Sequence, residues 1–495
     1  MRKISTALIS VFNKDGIEEI ATKLHNQNIK IISTGGTKSF IENLDIPVTS
    51  VESITDYPSI LGGRVKTLHP KIFGGILYRD QKVDLGEVKE FSIPKIDLVI
   101  VDLYPFEDTV KSTNDESEII EKIDIGGVSL IRAAAKNYNK TVIVSSKKNY
   151  KELITYLEKN KYSTDITFRK NFASKAFNIT SEYDSQIDEY FGLESGNYPV
   201  LRYGENPHQK AFFKGDLDNV FQKLNGKDLS YNNLLDIDSA IKLISEFTTV
   251  TFAIIKHNNA CGIASCSSVV TSYKKALQSD PLSAFGGVLI TNHKMDVNSA
   301  SEMDNLFFEI LIAPDYDEES LKILNSKKNR ILLKLKETNF SLMSSKKILG
   351  GYLNQDVDIA ENKIKNWKVV TKKTPSSEKY KDLQFANKIV KHSKSNAIVL
   401  VKNSQMISSG VGQTSRVDAL KHAIEKAKTF GFDIKDSVMA SDAFFPFPDC
   451  VEIAADSGIS SIIQPGGSIK DNLSIEVCNN TNISMVLTGM RHFYH

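Results

Sequence analysis

At 495 residues the chain is too long for one ordinary domain, and about 150 residues per domain predicts roughly three compact units. Its 41% apolar and 25% charged residues match globular averages, which excludes a disordered or fibrous chain. The 62 Lys and Arg against 60 Asp and Glu leave a formal charge of +2, which argues against a nucleic-acid coat or a polybasic membrane binder.

The opening MRKISTALISVF sets basic residues before an apolar stretch, as a signal peptide does. Asn13, Lys14, Asp15 and Gly16 end that stretch, and no small-residue cleavage site follows. Residues 7–12 therefore read as a strand ending in a functional turn and 16–27 as a helix. A second strand at 29–32 runs into Ser33-Thr34-Gly35-Gly36-Thr37. The nearly continuous apolar run at 97–103 (DLVIVDL) fits a strand buried on both faces of a parallel sheet, and 141–144 repeats the pattern. Strands alternating with helices predict an α/β fold. Between 164 and 191, Phe172, Ala176, Ile179, Tyr183, Ile187 and Tyr190 recur every three or four residues, as one face of a long helix does. GLESGNYP at 192–199 breaks regular structure and sets the main boundary, giving domains 1–196 and 197–495. A Lys-rich, Pro-containing stretch at 361–381 reads as the join between two subdomains of the second domain; no sequence repeat is strong enough to claim. No run of about 18 apolar residues predicts a membrane span. Cys261, Cys266, Cys450 and Cys478 form no CxxC pair, so a reducing, cytoplasmic setting is expected rather than a zinc ribbon.

Ligands of α/β sheets gather at the carboxyl ends of strands. There, residues 33–37 offer glycines that admit an anion to backbone N–H groups, hydroxyl donors and a helix N-terminus, although a plain strand-to-helix turn reads equally well. Neither GxGxxG nor GxxxxGK[ST] occurs, which counts against a dinucleotide or P-loop site. LGGRVKTLHP at 61–70 crowds two glycines, Arg64, Lys66, Thr67 and His69 into one loop. The strand at 97–103 delivers Tyr104, and IDIGGV at 123–128 reads as a helix start able to bind an oxyanion. Lys136 continues that helix, either as a solvated face residue or, with Lys66, Tyr104 and Asp124, as part of a proton-transfer group. The strand at 252–255 delivers Lys256-His257, which reads as surface filler or as an acid–base pair beside developing charge. Loops at 201–209, 280–287, 410–416, 464–468 and 488–495 add glycine, hydroxyl, Arg and His, and SDAFFPFPD at 441–449 offers an apolar wall for a flat ligand. The HxE and PCxxC pattern of a zinc deaminase is absent around 256–266, and no GxSxG elbow occurs. Only nine of the 62 cations are Arg, and Arg64, Arg202, Arg416 and Arg491 fall inside these loops, where a planar fork suits phosphates or carboxylates.

Taken in order from SVFNKDG to TGMRHFYH, the motifs STGGT, GGRVKTLHP, LYPF, IDIGGVSLIRAAAKN, LRYGENPHQ, DPLSAFGG, SDAFFPFPD and QPGGSI resemble a bifunctional purine-biosynthesis family. That family joins 5-aminoimidazole-4-carboxamide ribonucleotide (AICAR) formyltransferase to inosine monophosphate (IMP) cyclohydrolase. The resemblance implies an N-terminal methylglyoxal-synthase-like parallel-sheet sandwich that closes formyl-AICAR to IMP. It also implies two tandem cytidine-deaminase-like α/β subdomains, without zinc, that formylate AICAR from 10-formyltetrahydrofolate. By the same resemblance Ser10, Lys14, Ser33, Thr34, Gly35, Gly36, Thr37, Arg64 and Thr67 surround the nucleotide, largely at its phosphate. Lys66, Tyr104, Asp124 and Lys136 match the cyclohydrolase group, with Gly126 and Gly127 at the oxyanion. Lys256 and His257 match the transferase group. Arg202, Phe285, Glu309, Asn403, Arg416, Phe445, Arg491 and His495 match its nucleotide positions, and Asp449 is a candidate folate contact. The resemblance further implies a homodimer with transferase sites across the interface, no catalytic metal and a candidate structural monovalent cation.

Three positions depart from the family pattern: Asp102 replaces the usual Asn before LYPF, Ala260 replaces Pro after the Lys-His loop, and Phe73 stands where His is common. None removes a residue assigned to chemistry, so both activities are expected rather than a nucleotide sensor lacking turnover. An RNA-binding scaffold finds no basic aromatic stripe, so neither a nucleic-acid nor a membrane partner is expected.

Overall fold

The computed structural model describes the whole chain apart from Ser195, Asn197, Thr338, Asn339 and residues 360–363. The chain divides into two units, Met1–Asn197 and Tyr198–His495. Of the expected boundary at 196/197 and the expected join at 361–381, Asn197 and residues 361–363 lie outside the described residues.

Short apolar runs build the sheet of the first unit. Strands β1 (Thr6–Ser10), β2 (Lys30–Ser33), β3 (Val48–Ser50), β4 (Leu98–Val101) and β5 (Val142–Val144) lie in the order β3-β2-β1-β4-β5. All four pairings are parallel. Side chains alternate between faces, so Ala7 and Ile9 enter one core while Leu8 enters the other, and β4 is buried at every residue. Helix α1 (Ile17–Asn26) starts after Gly16, whose φ of 80° suits glycine, and buries Ile17, Ile20, Ala21 and Leu24. Helices α2 (Gly35–Glu42) and α3 (Gly126–Lys136) begin at the carboxyl edge of the sheet, and α4 (Ile166–Glu194) is the long helix expected from the periodicity of residues 164–191. Both faces of the sheet are covered, and fully burying each of its Ile, Leu or Val side chains stabilises by about 1.5–3 kcal/mol.

The second unit contains a repeat. Its first half holds β6 (Phe221–Asn225), α5 (Tyr231–Ile244), β7 (Thr251–Lys256), β8 (Asn259–Ser265), α6 (Val269–Ser279), β9 (Val288–Thr291), β10 (Ile310–Ala313) and β11 (Ile331–Leu335). An exposed hairpin follows, β12 (Met343–Ile348) with β13 (Gly351–Asp356). The second half holds β14 (Lys368–Val369), α7 (Ser377–Lys391), β15 (Ile398–Lys402), β16 (Gln405–Gly410), α8 (Arg416–Thr429), β17 (Val438–Ser441), α9 (Asp449–Asp456), β18 (Ser461–Gln464), α10 (Asp471–Asn480) and β19 (Ser484–Leu487).

Twelve strands share one sheet, in the order β14-β19-β18-β17-β15-β16-β8-β7-β9-β10-β11-β6. Outward from the central pair β16–β8, each half reads hairpin, antiparallel neighbour, two parallel strands and an antiparallel edge. Helices α5 and α7 pack on a common core on one face, while α6 and α8 sit over separate cores on the other. Helix α5 opens with a capping box: Asn233 N donates to Ser230 Oγ at 3.2 Å, and Ser230 N donates to Asn233 Oδ1 at 3.0 Å.

Candidate active sites

In the first unit, the loops leaving β1, β2 and β4 and the start of α3 enclose a cavity of about 480 Å3. Ser10, Lys14, Thr34, Gly36, Thr37, Arg64, Lys66, Thr67, Tyr104, Asp124, Gly126 and Gly127 line it, so most residues expected around a nucleotide converge there. Gly35 opens α2 at a φ of 54°, and a Cβ on it would lie 3.6 Å from Lys66 Nζ. Ser33 is fully buried and donates to Ile9 O at 2.6 Å, which ties β2 to β1 and leaves it no free surface for a ligand. Thr37 joins the two loops instead, donating to Val11 O at 2.9 Å and accepting from Val11 N at 3.1 Å.

Lys136 corrects the expected catalytic group. It ends α3, whose first turn lines the cavity, and at 1.5 Å per residue ten residues separate the two ends by about 15 Å. Lys136 is exposed, and neighbouring Asn137 bonds to Ile76 O and Tyr78 O, away from the carboxyl edge. Lys66, Tyr104 and Asp124 remain together.

Burial pushes the Asp124 carboxyl above its ordinary range, opposed by the bond from Gly127 N (2.6 Å) and by the Lys66 charge. That bond commits the Gly127 N–H to Asp124. Burial also raises the Tyr104 phenol, helped by Asp124, Glu121 and Asp102. Lys14 is lowered by burial, against Asp102, with Lys66 adding to the lowering. Arg64 pairs with Glu121 across the cavity mouth.

Two residues missed by motif reasoning shape this cavity. Tyr183 OH accepts from Asp124 N at 2.9 Å and donates to Lys122 O at 2.6 Å, which fixes the backbone beneath Asp124. Asp102 accepts from the N–H groups of Phe12 and Asn13, the latter at 2.9 Å. Only its departure from the family pattern had marked it.

In the second unit, the β7–β8 turn places Lys256 and His257 at one edge of the sheet. Lys256 Nζ donates to Phe285 O at 2.8 Å, and the ring of Phe285 meets that of Phe307 at 4.9 Å. Glu309 accepts from Lys227 Nζ and Asn233 Nδ2, both at 2.9 Å. Burial would raise its pKa, but those two donors and the nearby Arg202 hold it below its usual value. Glu309 and Phe307 also line a cavity of about 570 Å3 with Lys227 and residues 304–306, 308 and 327–330.

A second group forms where β15 begins and β16 ends. Arg416, largely buried, donates to Asn396 Oδ1 and Asp442 Oδ1 at 2.8 Å and to Phe444 O at 3.3 Å. Asn259, after the Lys-His turn, accepts from Lys394 N at 2.9 Å, which links this group to the first.

Two expectations are corrected here. Asn403 sits in the β15–β16 turn, where Ser404 O accepts from Ser265 N at the opposite edge of the sheet; Asn396 takes its place beside Arg416. Phe445 is fully buried in the core, while Phe444 is half-exposed beside Arg416. Arg491 and His495 are exposed on the C-terminal segment, with Arg491 stacked 4.3 Å over Phe493, and Asp449 opens α9 half-buried.

Residues 134–426 match the family model described as AICARFT/IMPCHase bienzyme, and residues 16–129 match that of the MGS-like domain. The chain belongs to the AICARFT/IMPCHase bienzyme family. A relative from Bacteroides thetaiotaomicron, named bifunctional purine biosynthesis protein PurH, is 56% identical over 503 residues, spanning 100% of this chain and 99% of its own. One of the same name from Aquifex aeolicus is 45% identical over 510 residues, spanning 99% of this chain and 100% of its own. Among the described residues of this bienzyme, no group of three or more His, Cys, Asp and Glu is placed to hold a metal ion, and no helix is long and apolar enough to cross a membrane.

Proposed function

We propose that the bienzyme divides its two reactions between its two units, formyl transfer in the second and ring closure in the first. The observation that carries this reading is the separate convergence of Lys66, Tyr104 and Asp124 on one strand-end cavity and of Lys256 and His257 on a turn beside Phe285 and Glu309. In the second unit the 5-amino group of AICAR attacks the formyl carbon of 10-formyltetrahydrofolate. His257 takes the amine proton, and Lys256, steadied by Phe285 O, stabilises the tetrahedral oxyanion. The bond from that carbon to the folate nitrogen then breaks, the nitrogen takes up a proton, and formyl-AICAR and tetrahydrofolate leave.

In the first unit the carboxamide nitrogen of formyl-AICAR attacks its own formyl carbon. Lys66 and the Gly126 N–H face the developing oxyanion, and Tyr104 and Asp124, the latter's carboxyl raised by burial, move protons so that water departs and IMP remains. Lys14, Arg64 and the α2 N-terminus hold the phosphate.

Three finer points belong to the same proposal. The chain acts as a homodimer, supported by the β12–β13 hairpin: both faces are exposed, Leu349, Tyr352 and Leu353 among them, and an isolated two-stranded hairpin is marginal in water. A structural monovalent cation is supported by Asp442, fully buried, whose Oδ2 accepts no hydrogen bond from the described residues. A cytoplasmic setting agrees with four free cysteines. The test supplies AICAR and 10-formyltetrahydrofolate and follows tetrahydrofolate and IMP together. Both are expected; absent tetrahydrofolate overturns the transferase reading, and formyl-AICAR accumulating without IMP overturns the cyclohydrolase one.

A further inference from the structure

Strands β7 and β8 are joined by His257-Asn258, and β15 and β16 by Asn403-Ser404. All four residues are left-handed, with φ of 49°, 63°, 54° and 55°, the geometry of a tight hairpin turn. In each half an aspartate from the helix preceding the hairpin holds the turn. Asp382 of α7 spends both carboxylate oxygens on it, Oδ2 accepting from Asn403 N at 2.9 Å and Oδ1 from Ser404 N at 2.7 Å. Asp236 of α5 meets its turn with Oδ1 alone, accepting from Asn258 N at 2.7 Å. Asp382 is 4% exposed, whereas Asp236 is half-buried. Burial raises the Asp236 carboxyl, against the Asn258 N–H and the neighbouring His257 and Lys256, with Glu309 adding to the rise. The charged groups that act on Asp236 include Lys256 from β7 and Glu309 before β10, the last paired with Lys227.

We propose that Asp236 is a positioning residue of the formyl-transfer centre, fixing the Lys256-His257 turn through Asn258 and holding a negative charge beside the imidazole. This rests on the reading of His257 as proton acceptor. When the imidazole takes the amine proton it becomes a cation, and a fixed carboxylate nearby stabilises that cation without itself taking the proton. The second half shows the same clamp with no imidazole to serve, so Asp382 is an internal control.

The test compares Asp236→Asn with Asp382→Asn in the full chain. Formyl-transfer kcat, the KM for AICAR, cyclisation of supplied formyl-AICAR and the melting temperature are read from each preparation. Asp236→Asn keeps an acceptor for Asn258 but loses the charge. It is expected to lower transfer kcat by about tenfold or more, to hold the KM within about twofold and to spare cyclisation. Asp382→Asn is expected to leave transfer unchanged. Wild-type kcat in Asp236→Asn, or an equal loss in Asp382→Asn, overturns the proposal alone. A wild-type chain that releases no tetrahydrofolate overturns the functional reading and this proposal with it. Should Asp236→Asn fail to fold, Asp236→Glu keeps the charge but displaces it by one methylene; a fall in kcat supports positioning and an unchanged kcat overturns it.

Discussion

In the first half of the second unit, β7 ends at Lys256 and passes into His257; in the second half, β15 ends at Lys402 and passes into Asn403. Strand order, polarity, turn geometry and the aspartate clamp are shared. The surroundings are not. Lys256 reaches Phe285 O, beside an exposed aromatic pair, whereas Lys402 Nζ bonds to Lys435 O and Asp433 at the other edge of the sheet. The repeated scaffold thus supplies two turns of one geometry, each held by an aspartate, and in the proposed function the chemistry depends on which side chain one of them carries.

The largest expected effect comes from making the first turn resemble the second. His257→Asn keeps a residue that tolerates the left-handed region but removes the proton acceptor. Formyl transfer should fall by about 10²–10⁴-fold, with cyclisation and melting temperature unchanged. Transfer at the wild-type rate would mean that the turn, not the imidazole, carries the chemistry.

A pair of glycines tests whether the halves are equally tight. A Cβ on Gly262 of β8 would overlap Ala276 O of α6, and one on Gly410 of β16 would overlap Ala419 O of α8. Neither φ is left-handed, so space alone makes glycine necessary. Gly262→Ala and Gly410→Ala should each destabilise by about 3 kcal/mol in urea unfolding. A loss confined to one of them would show that the cores over α6 and α8 differ in how far they can yield.

One tie between the halves is asymmetric. Glu246, just beyond α5, accepts from Lys391 Nζ at 2.7 Å and lies 3.0 Å from His392 Nε2, both from the end of α7. Burial would raise its carboxyl, but those hydrogen bonds and charges bring it down to about 2. A carboxyl lowered by folding stabilises above its unfolded value of 4.5, and that contribution fades as pH falls from there toward about 2. Glu246→Gln should therefore cost about 2 kcal/mol at pH 7 and progressively less below pH 4.5. A deficit independent of pH would mean that shape rather than charge holds α5 to α7.

The halves also mark what a sequence can show. Buried strands such as β4 and β7 were legible because both faces are covered, so nearly every residue is apolar. The first cavity was legible because Gly, Ser, Thr and Lys cluster on the loops that line it. The repeat was not, because it lives in strand order and in Asp236 and Asp382, single residues on ordinary helices. Asn396 was missed for the same reason: an isolated Asn before a strand carries no local signal, and only the fold brings it to Arg416. Tyr183 looked like one member of an apolar stripe, although its hydroxyl supports Asp124. In Phe444-Phe445 both rings are equivalent on paper, and the core takes the second. Lys136 misled because a motif continuous in sequence runs along a helix and carries its end away from the site.

The smallest expected effect asks whether the aspartate clamp extends to the first unit. Asp102 spends one oxygen on Phe12 N and the other on Asn13 N, as Asp382 does on Asn403 and Ser404. Turned this way, its charge is directed at the loop's own N–H groups rather than at a phosphate, which reconciles an anion at this position with a nucleotide cavity. Asp102→Asn has one acceptor oxygen for two donors and should lose about 1 kcal/mol at neutral pH, with the KM for formyl-AICAR changed by less than about threefold. Burial holds the Asp102 carboxyl above its ordinary 3.8, despite the two N–H groups and Lys14. On acidification folded wild type therefore binds a proton before the unfolded chain does. Wild type should gain on the variant as pH falls from that raised value to about 3.8, then gain no more. Urea unfolding between pH 7 and pH 4 reads this directly. Equal stability throughout would remove Asp102 from the clamps and confine the device to the repeated halves of the second unit.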